Sequence, residues 1–335
     1  MSSFPFAIKK NLLLTGAGFT ANFNGFDSKQ LGIQIFNHIF DTSKIKQLLF
    51  ENLARFEPLY YKVLFEEPEK FSEEEKQEFK NAVKKAYEDL DDIVCQFGHR
   101  GRSGYGLFYG NLSRFIGNAF AGSNSGERGA IFTLNQDLFL ERVHGFKSPM
   151  LHAFAFVLQG NFNSLDKTHF KRFPTQVEMN TDIDNYVKEH FKSDGDLFYF
   201  KLHGSYGWLT SDGTDLMVLG DFKKKQIEEE PLLKWYYGCF KEALWRDDVQ
   251  LLIIGYSFND THINDILREA FKYGMRFCIL TPKEHVDGQL NSIKQAGLEK
   301  GLYKIFPYAL RELFPEDQSN SPQLREVLEV FPANR

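Results

Sequence analysis

Short apolar runs recur along the chain, and each is bounded by glycine or by polar residues. They are rich in branched and aromatic side chains, which is typical of strands buried on both faces of a parallel sheet. The runs that predict strands are 12–15, 130–134, 198–202, 251–255 and 277–281. A loop of small or polar residues follows each run, and in open α/β sheets ligands bind at these carboxyl ends.

The stretch between the first two predicted strands is far longer than a simple crossover helix requires. Within it, Ser72 and Glu75 form a capping-box pattern, and apolar residues follow at helical spacing. We therefore expect an α/β fold with a Rossmann-like parallel sheet, helices on both faces and a helical insertion at about 26–125. A second insertion is expected at about 146–195.

The domain organisation follows from the same pattern. One domain is expected over residues 1–315, followed by a polar C-terminal tail over 316–335. Within this tail, apolar residues at helical spacing predict a short helix at 322–330.

Composition narrows the classes of function. The net charge of −5 disfavours direct nucleic-acid binding, because phosphate backbones bind clustered Lys and Arg. Cys95, Cys239 and Cys278 are too far apart to form a CxxC metal pair or a disulfide framework, so we expect a reducing, cytoplasmic setting and no metal. The apolar run near the N-terminus is too short for a signal peptide or a membrane span.

The first candidate motif is LLLTGAGFTANFNG at 12–25, where a strand runs directly into a glycine turn. Gly16 permits the tight turn, Gly18 lets the backbone approach a pyrophosphate, and Ala21 allows close helix packing. A glycine turn without a ligand is the alternative. A dehydrogenase would also need an acid at the end of a second strand, but QIFNHIFD has a helical pattern, so Asp41 is a poor candidate.

Two further predicted strands end in residues that could take part in catalysis. Asn135 and Asp137 follow the predicted strand in AIFTLNQDLFLERV at 130–143. The commoner roles of Asn and Asp at such a place are a turn residue and a helix cap. In LFYFKLHGSYGW at 197–208, a predicted strand ends in His203 beside a glycine. We expect this side chain to be exposed to the ligand crevice, and its near-neutral pKa suits proton transfer. A single His is more often structural.

The fourth motif is QLLIIGYSFNDTHINDILREAF at 250–271. Its strand is followed by Gly255 and Ser257, which could approach a second phosphate or a ribose. A helix then begins near Asp260, which we expect to be its cap, and a simple capped turn is the alternative reading.

The order GAGFT, TLNQD, LHGS and GYSF resembles the sirtuin family, in particular its bacterial branch of NAD-consuming antiphage-defence proteins, over about residues 11–282. The resemblance implies NAD⁺ as the substrate. It assigns catalysis to Asn135, Asp137 and His203. It assigns NAD binding to Gly16, Ala17, Gly18, Phe19, Thr20, Asn24, Gly255 and Ser257.

The chain also departs from the protein-deacylating sirtuins. Those proteins carry two CxxC pairs that hold a structural zinc, and this sequence has no CxxC. They also follow the glycine turn with G-I-P-x-F-R, whereas Asn22, Phe23, Asn24 and Gly25 stand here, without an Arg. We therefore expect NAD⁺ cleavage without an acyl-lysine acceptor.

The resemblance implies that Asn135 orients the ribose hydroxyls or the attacking water, that His203 accepts a proton and that Asp137 fixes the local geometry. The products would be nicotinamide and ADP-ribose, or a cyclic isomer. Three alternatives remain open: a zinc-less protein deacylase, an NAD or ADP-ribose sensor without turnover, and an interaction subunit.

Regulation and partners are expectations from the same resemblance. A free NAD hydrolase would starve its own cell, and residues 283–335 show no pattern of a second sensor domain. We therefore expect a homo-oligomer that acts with a HerA-like ATPase, without direct contact with nucleic acid or a membrane.

Overall fold

The structure is a computed structural model. It describes residues 8–23, 25–99, 105–122, 127–140, 151–153, 171–172, 197–210, 213–220, 222–315 and 321–332.

A parallel sheet of seven strands, in the order β10-β9-β8-β1-β2-β5-β3, runs through the described part of the chain. A smaller sheet has the order β4-β6-β7. The strands are β1 Asn11–Thr15, β2 Gly129–Thr133, β3 Leu151–Ala153, β4 Lys171–Arg172, β5 Leu197–Lys201, β6 Gly204–Leu209, β7 Asp215–Met217, β8 Gln250–Ile254, β9 Arg276–Leu280 and β10 Leu302–Phe306.

The predicted strands are confirmed as β1, β2, β5, β8 and β9, each beginning one residue earlier than expected. Five strands were not predicted from the sequence: β3, β4, β6, β7 and β10, the last of which lies at one end of the main sheet. This strand, LYKIF, is only partly buried and contains a lysine, so it lacks the continuous apolar run that revealed the others.

Helices fill both sides of the sheet. They are α1 Ala17–Ala21, α2 Ser28–Asn37, α3 Lys44–Glu51, α4 Phe56–Tyr61, α5 Glu73–His99, α6 Tyr105–Phe120, α7 Lys223–Glu229, α8 Pro231–Leu244, α9 Thr261–Ala270, α10 Val286–Gln295, α11 Leu310–Leu313 and α12 Pro322–Val330. None of the helices in the described ranges is long and apolar enough to cross a membrane.

Helices α2 to α6 lie between β1 and β2, where the first insertion is expected. Ser72 and Glu75 form the predicted capping box at the start of α5, each backbone N–H donating to the other side chain. Apart from β3 and β4, the second expected insertion lies outside the described residues. Helix α12 coincides with the predicted tail helix, while the domain boundary at residue 315 stays a prediction.

The core has two layers because successive side chains of a strand point to opposite faces. On β1, Leu13 packs into a cluster with the insertion helices, whereas Leu12 and Leu14 pack with α8 and α9 on the other face. All three side chains are fully buried. The expected α/β class, a Rossmann-like parallel sheet with helices on both faces, is confirmed.

Candidate functional site

A cavity of about 1070 Å³ opens where β1, β2, β5 and β8 end. Strand β1 lies between β2 and β8, so the order in which strands are added to the sheet reverses at β1. Ligands of open α/β sheets bind at such a switch point. The predicted site residues that line the cavity are Gly16, Ala17, Gly18, Asn135, Asp137, His203, Gly255 and Ser257.

Two other predicted binding residues, Phe19 and Thr20, do not line the cavity. Phe19 and Thr20 are almost completely buried behind the cavity wall, at 1% exposure each. Asn24 lies outside the described residues. Asp41 follows the end of α2 and is exposed in an ion pair with Lys46, which agrees with its rejection as a ribose-binding acid.

The glycine turns after β1 and β8 pack backbone against backbone. The Gly18 N–H donates to the Gly255 carbonyl at 3.0 Å, and the Gly16 N–H donates to the Ile254 carbonyl at 3.0 Å. Gly255 has a φ of +70°, and a Cβ there would lie 2.1 Å from the Phe19 nitrogen. The packing of the two turns therefore requires glycine at position 255, whether or not a ligand also contacts the turns.

The Asn135 side chain is oriented by a buried chain of hydrogen bonds. Its Nδ2 donates to the Thr20 hydroxyl at 2.9 Å, and that hydroxyl donates to Asp137 Oδ2 at 2.9 Å. Its backbone N–H donates to the Thr133 hydroxyl, which accepts a second bond from Thr15. Within the described residues, no hydrogen bond reaches Asn135 Oδ1, so this oxygen can serve a ligand in the cavity.

The Asp137 carboxylate makes hydrogen bonds that fix the loop after β2. Its Oδ1 accepts the Phe139 N–H at 2.9 Å, which is the local role that the sequence left open for it. Lys201 Nζ donates to the Asp137 backbone carbonyl. Burial raises the pKa of Asp137, and the nearby Lys201 charge opposes that rise.

His203 lies at the end of β5 with only 3% exposure, although the sequence predicted an open position facing the ligand. Its Nε2 lies 2.9 Å from Nε2 of His262, at the start of α9. Gln136 fixes the backbone here, because its Nε2 donates to the His203 carbonyl at 3.1 Å. Tyr87 of the insertion donates its hydroxyl to Gln136 Oε1 at 2.6 Å.

A partly buried ionic bridge lies beside the two histidines. Lys223 Nζ is 2.8 Å from both Glu57 Oε2 and Asp260 Oδ1, and it thereby joins α4 to the loop before α9. The sequence predicted Asp260 as a helix cap. It does precede α9, but its side chain makes no capping hydrogen bond, because its carboxylate pairs with Lys223 instead.

Burial and charge set the protonation states of these groups. Burial lowers the pKa of His203 well below its ordinary value and lowers that of His262 to about 4. Burial raises the pKa of Asp260, but the adjacent His203 and the ion pair with Lys223 outweigh burial and lower that pKa to about 2. At neutral pH the site therefore contains two neutral imidazoles beside a carboxylate anion.

His203, Asp260 and His262 place ligand-type atoms within 4.8 Å of one another. Lys223 already neutralises the Asp260 carboxylate, and its ammonium would repel a second cation at this point. We therefore assign no metal to these residues, and the expected absence of a metal stays a prediction.

Sequence reasoning missed Gln136, His262, Lys223 and Glu57, all of which line the cavity. Two of them carried a usable signal: Gln136 is adjacent to Asn135, and His262 lies in the loop-to-helix segment after β8. Glu57 and Lys223 carried none, because only the tertiary fold brings these distant segments together.

A family model described as a SIR2-like domain matches residues 129–295, a range that includes β2, β5, β8 and β9 but begins after the glycine turn of β1. No curated protein matches the chain at a significant level. Together with the parallel sheet, the match identifies a SIR2-like domain in this chain, which supports a sirtuin-like protein and implies NAD binding and NAD-related activity in general.

Proposed function

We propose that the chain binds NAD⁺ as a substrate in the cavity at the strand ends and hydrolyses its nicotinamide–ribose bond. The observation that carries the proposal is that Asn135 and His203, from the adjacent strands β2 and β5, line the same cavity as the glycine turn after β1. The match covers Asn135, His203 and the turn after β8, whereas the glycine turn after β1 precedes it.

Hydrolysis of the nicotinamide–ribose bond needs few protein groups. The nicotinamide of NAD⁺ is a cationic pyridinium, so the C–N bond breaks with its electron pair moving onto nitrogen and neutralising that charge. The ribose carbon becomes oxocarbenium-like and bonds to a water oxygen, whose proton must be accepted. The products are nicotinamide, ADP-ribose and one proton. The protein has to hold the ribose, position the water and take up that proton.

Asn135 suits the positioning role. The hydrogen bond to Thr20 fixes its amide plane, and its Oδ1 accepts no hydrogen bond within the described residues. An amide oxygen accepts a hydrogen bond from a ribose hydroxyl or a water molecule. We assign Asp137 the supporting role of holding Thr20, because its carboxylate oxygens already accept bonds from Thr20 and Phe139.

His203 suits the role of proton acceptor. Its lowered pKa keeps the ring neutral at pH 7, so a lone pair remains on one ring nitrogen. The Asp260 charge raises the pKa of His203 against the effect of burial, and it would stabilise the imidazolium formed in the reaction.

The test is to incubate purified protein with NAD⁺ and to separate nicotinamide, ADP-ribose and cyclic ADP-ribose by chromatography. We expect Asn135→Ala and His203→Ala to lose on the order of 10² to 10⁴ in rate while their circular dichroism and unfolding midpoints stay near those of the wild type. Normal turnover by a folded His203→Ala protein would contradict the mechanism. Tight NAD⁺ binding by calorimetry without turnover would favour a sensor.

We further propose that the protein acts as an NAD-depleting effector in antiphage defence and is restrained by assembly, as a homo-oligomer and with a HerA-like ATPase. Support comes from the sirtuin-like motifs and from the damage that unrestrained NAD⁺ hydrolysis would cause. Light scattering on the purified chain, alone and mixed with a HerA-like protein, tests the assembly. A monomer that turns over NAD⁺ at full rate alone would contradict it.

A further inference from the structure

The side-chain amide of Gln136 joins the candidate site to the helical insertion. Gln136 follows Asn135 in the loop after β2 and is only 6% exposed. Its Nε2 donates to the backbone carbonyls of His203 at 3.1 Å and Val218 at 2.8 Å. Its Oε1 accepts the Tyr87 hydroxyl at 2.6 Å. One buried amide therefore connects the loop after β2 with the segments that follow β5 and β7 and with helix α5.

The chemistry of these partners fixes the orientation of the amide. A backbone carbonyl only accepts hydrogen bonds, so the atom that faces two carbonyls is the nitrogen, with one N–H for each. The oxygen then faces Tyr87, whose hydroxyl donates to it. Gln136 lines the cavity, but both of its amide hydrogens are used inside the protein. The amide therefore acts on the neighbouring backbone and does not donate to a ligand.

The backbone of Gln136 contacts the same segment as its side chain. Its carbonyl accepts the Tyr206 N–H at 2.8 Å and the Ser205 hydroxyl at 3.3 Å. The segment that begins with His203 is thus held at one end by the Gln136 amide and at the other by the Gln136 carbonyl. These contacts set the separation between Asn135 on the loop after β2 and His203 after β5.

Tyr87 extends this arrangement to the insertion. It lies on α5 and is 6% exposed, and its ring stacks on that of Tyr206 with the centroids 5.9 Å apart. Without the Tyr87 hydroxyl, the buried oxygen of the Gln136 amide would lose the hydrogen bond that holds it in place. The position of α5 therefore acts on the Gln136 amide and, through it, on the backbone of His203.

We propose that Gln136 is a positioning residue that holds Asn135 and His203 at their working separation and makes this separation depend on α5. The inference rests on the NAD⁺ hydrolysis proposed above, in which Asn135 positions the ribose or the water and His203 accepts the proton. Both side chains must reach the same reacting centre, and a misplacement of about 1 Å can cost about 10²-fold in rate. The helical insertion thereby controls the geometry of the site.

The informative variants are Gln136→Met and Tyr87→Phe. Methionine has a similar length but lacks the amide, and phenylalanine keeps the buried ring but lacks the hydroxyl. We expect kcat to fall by about 10- to 10²-fold in Gln136→Met and by roughly tenfold in Tyr87→Phe, with KM little changed. The affinity for ADP-ribose, measured by calorimetry, should also stay near that of the wild type. Because the hydroxyl acts through the amide, the double variant should lose no more than Gln136→Met alone.

Two variants control for a general loosening of α5. Tyr206→Phe removes a hydroxyl that donates to Glu88 of this helix at 3.4 Å. His38→Gln changes the pair that His38 forms with Asp89 of the same helix at 2.7 Å. Tyr206 and His38 lie outside the cavity lining that the described residues form. Both variants should retain wild-type kcat.

The outcomes separate the positioning role from the proposed hydrolysis. Wild-type kcat in a folded Gln136→Met protein would overturn the positioning role and leave the hydrolysis standing. If Gln136→Met does not fold, wild-type kcat in Tyr87→Phe overturns the dependence on α5. Additive losses in the double variant, or equal losses in the two controls, would also overturn the proposal. A wild-type protein that never releases nicotinamide refutes the hydrolysis and, with it, the positioning role.

Discussion

Replacing Lys223 with methionine tests the partly buried ionic bridge most sharply. Lys223 Nζ lies 2.8 Å from carboxylate oxygens of Glu57 and Asp260, and the three side chains are only 15%, 30% and 17% exposed. Methionine keeps much of the apolar stem but removes the ammonium. Two partly buried carboxylates then face each other without the cation that compensates them.

The cost follows from this geometry. Removing one partner of a buried ion pair leaves an uncompensated charge and typically destabilises a protein by about 3–5 kcal/mol. Burial lowers the pKa of Lys223, but the attraction of the two carboxylates outweighs burial and raises that pKa. We therefore expect Lys223→Met to lower the free energy of unfolding by about 3 kcal/mol, in the lower part of that range, because Glu57 retains partial contact with water.

Urea unfolding at pH 7, followed by circular dichroism, measures the loss. Lys225→Met on the same helix is the matched control, since Lys225 is 67% exposed in a loose pair with Glu229, and we expect a change within about 0.5 kcal/mol. Adding Glu57→Gln to Lys223→Met should recover part of the lost stability by removing one stranded charge. A Lys223→Met protein as stable as the wild type would refute the argument.

Three further predictions follow. Stability should fall between about pH 6.5 and pH 4, because burial lowers the pKa values of His203 and His262 in the folded protein and only the unfolded chain takes up protons there. His262 alone accounts for about 3 kcal/mol, and urea midpoints that stay constant from pH 7 to 4.5 would contradict this. Gly255→Ala should destabilise by about 1–3 kcal/mol, measured by thermal unfolding, because its positive φ and the close turn exclude a Cβ. Thr20→Val should slow NAD⁺ turnover by roughly tenfold, since it removes the hydroxyl between Asn135 and Asp137; unchanged kcat would exclude that role.

Much of the fold could be predicted because its strands are buried on both faces. Such strands appear as continuous apolar runs, and β1, β2, β5, β8 and β9 were found from them. The same reasoning located Asn135 and His203, because residues directly after parallel strands meet at one edge of the sheet. Strand β10 was missed because it ends the main sheet and is partly exposed.

The electrostatics of the site could not be predicted from the sequence. Asp260 suited a helix cap by its residue type and position, but the fold brings Lys223 to its carboxylate. Thr20 was expected to contact the ligand, whereas it lies behind Asn135 and orients it. The contact of His262 with His203 appears only when the fold brings the start of α9 to the end of β5. Each of these contacts depends on side chains from segments that are distant in sequence.

The most direct test of the central claim is nicotinamide release from NAD⁺ by the purified chain, with Asn135→Ala, His203→Ala and His38→Gln measured in parallel. Because assembly is proposed to restrain the protein, each sample is assayed alone and with the HerA-like partner. The account predicts stoichiometric nicotinamide and ADP-ribose from the wild type and His38→Gln, and a loss of at least about 10²-fold in the two site variants. Equal release by all four folded proteins, or none from the wild type in either condition, would contradict it.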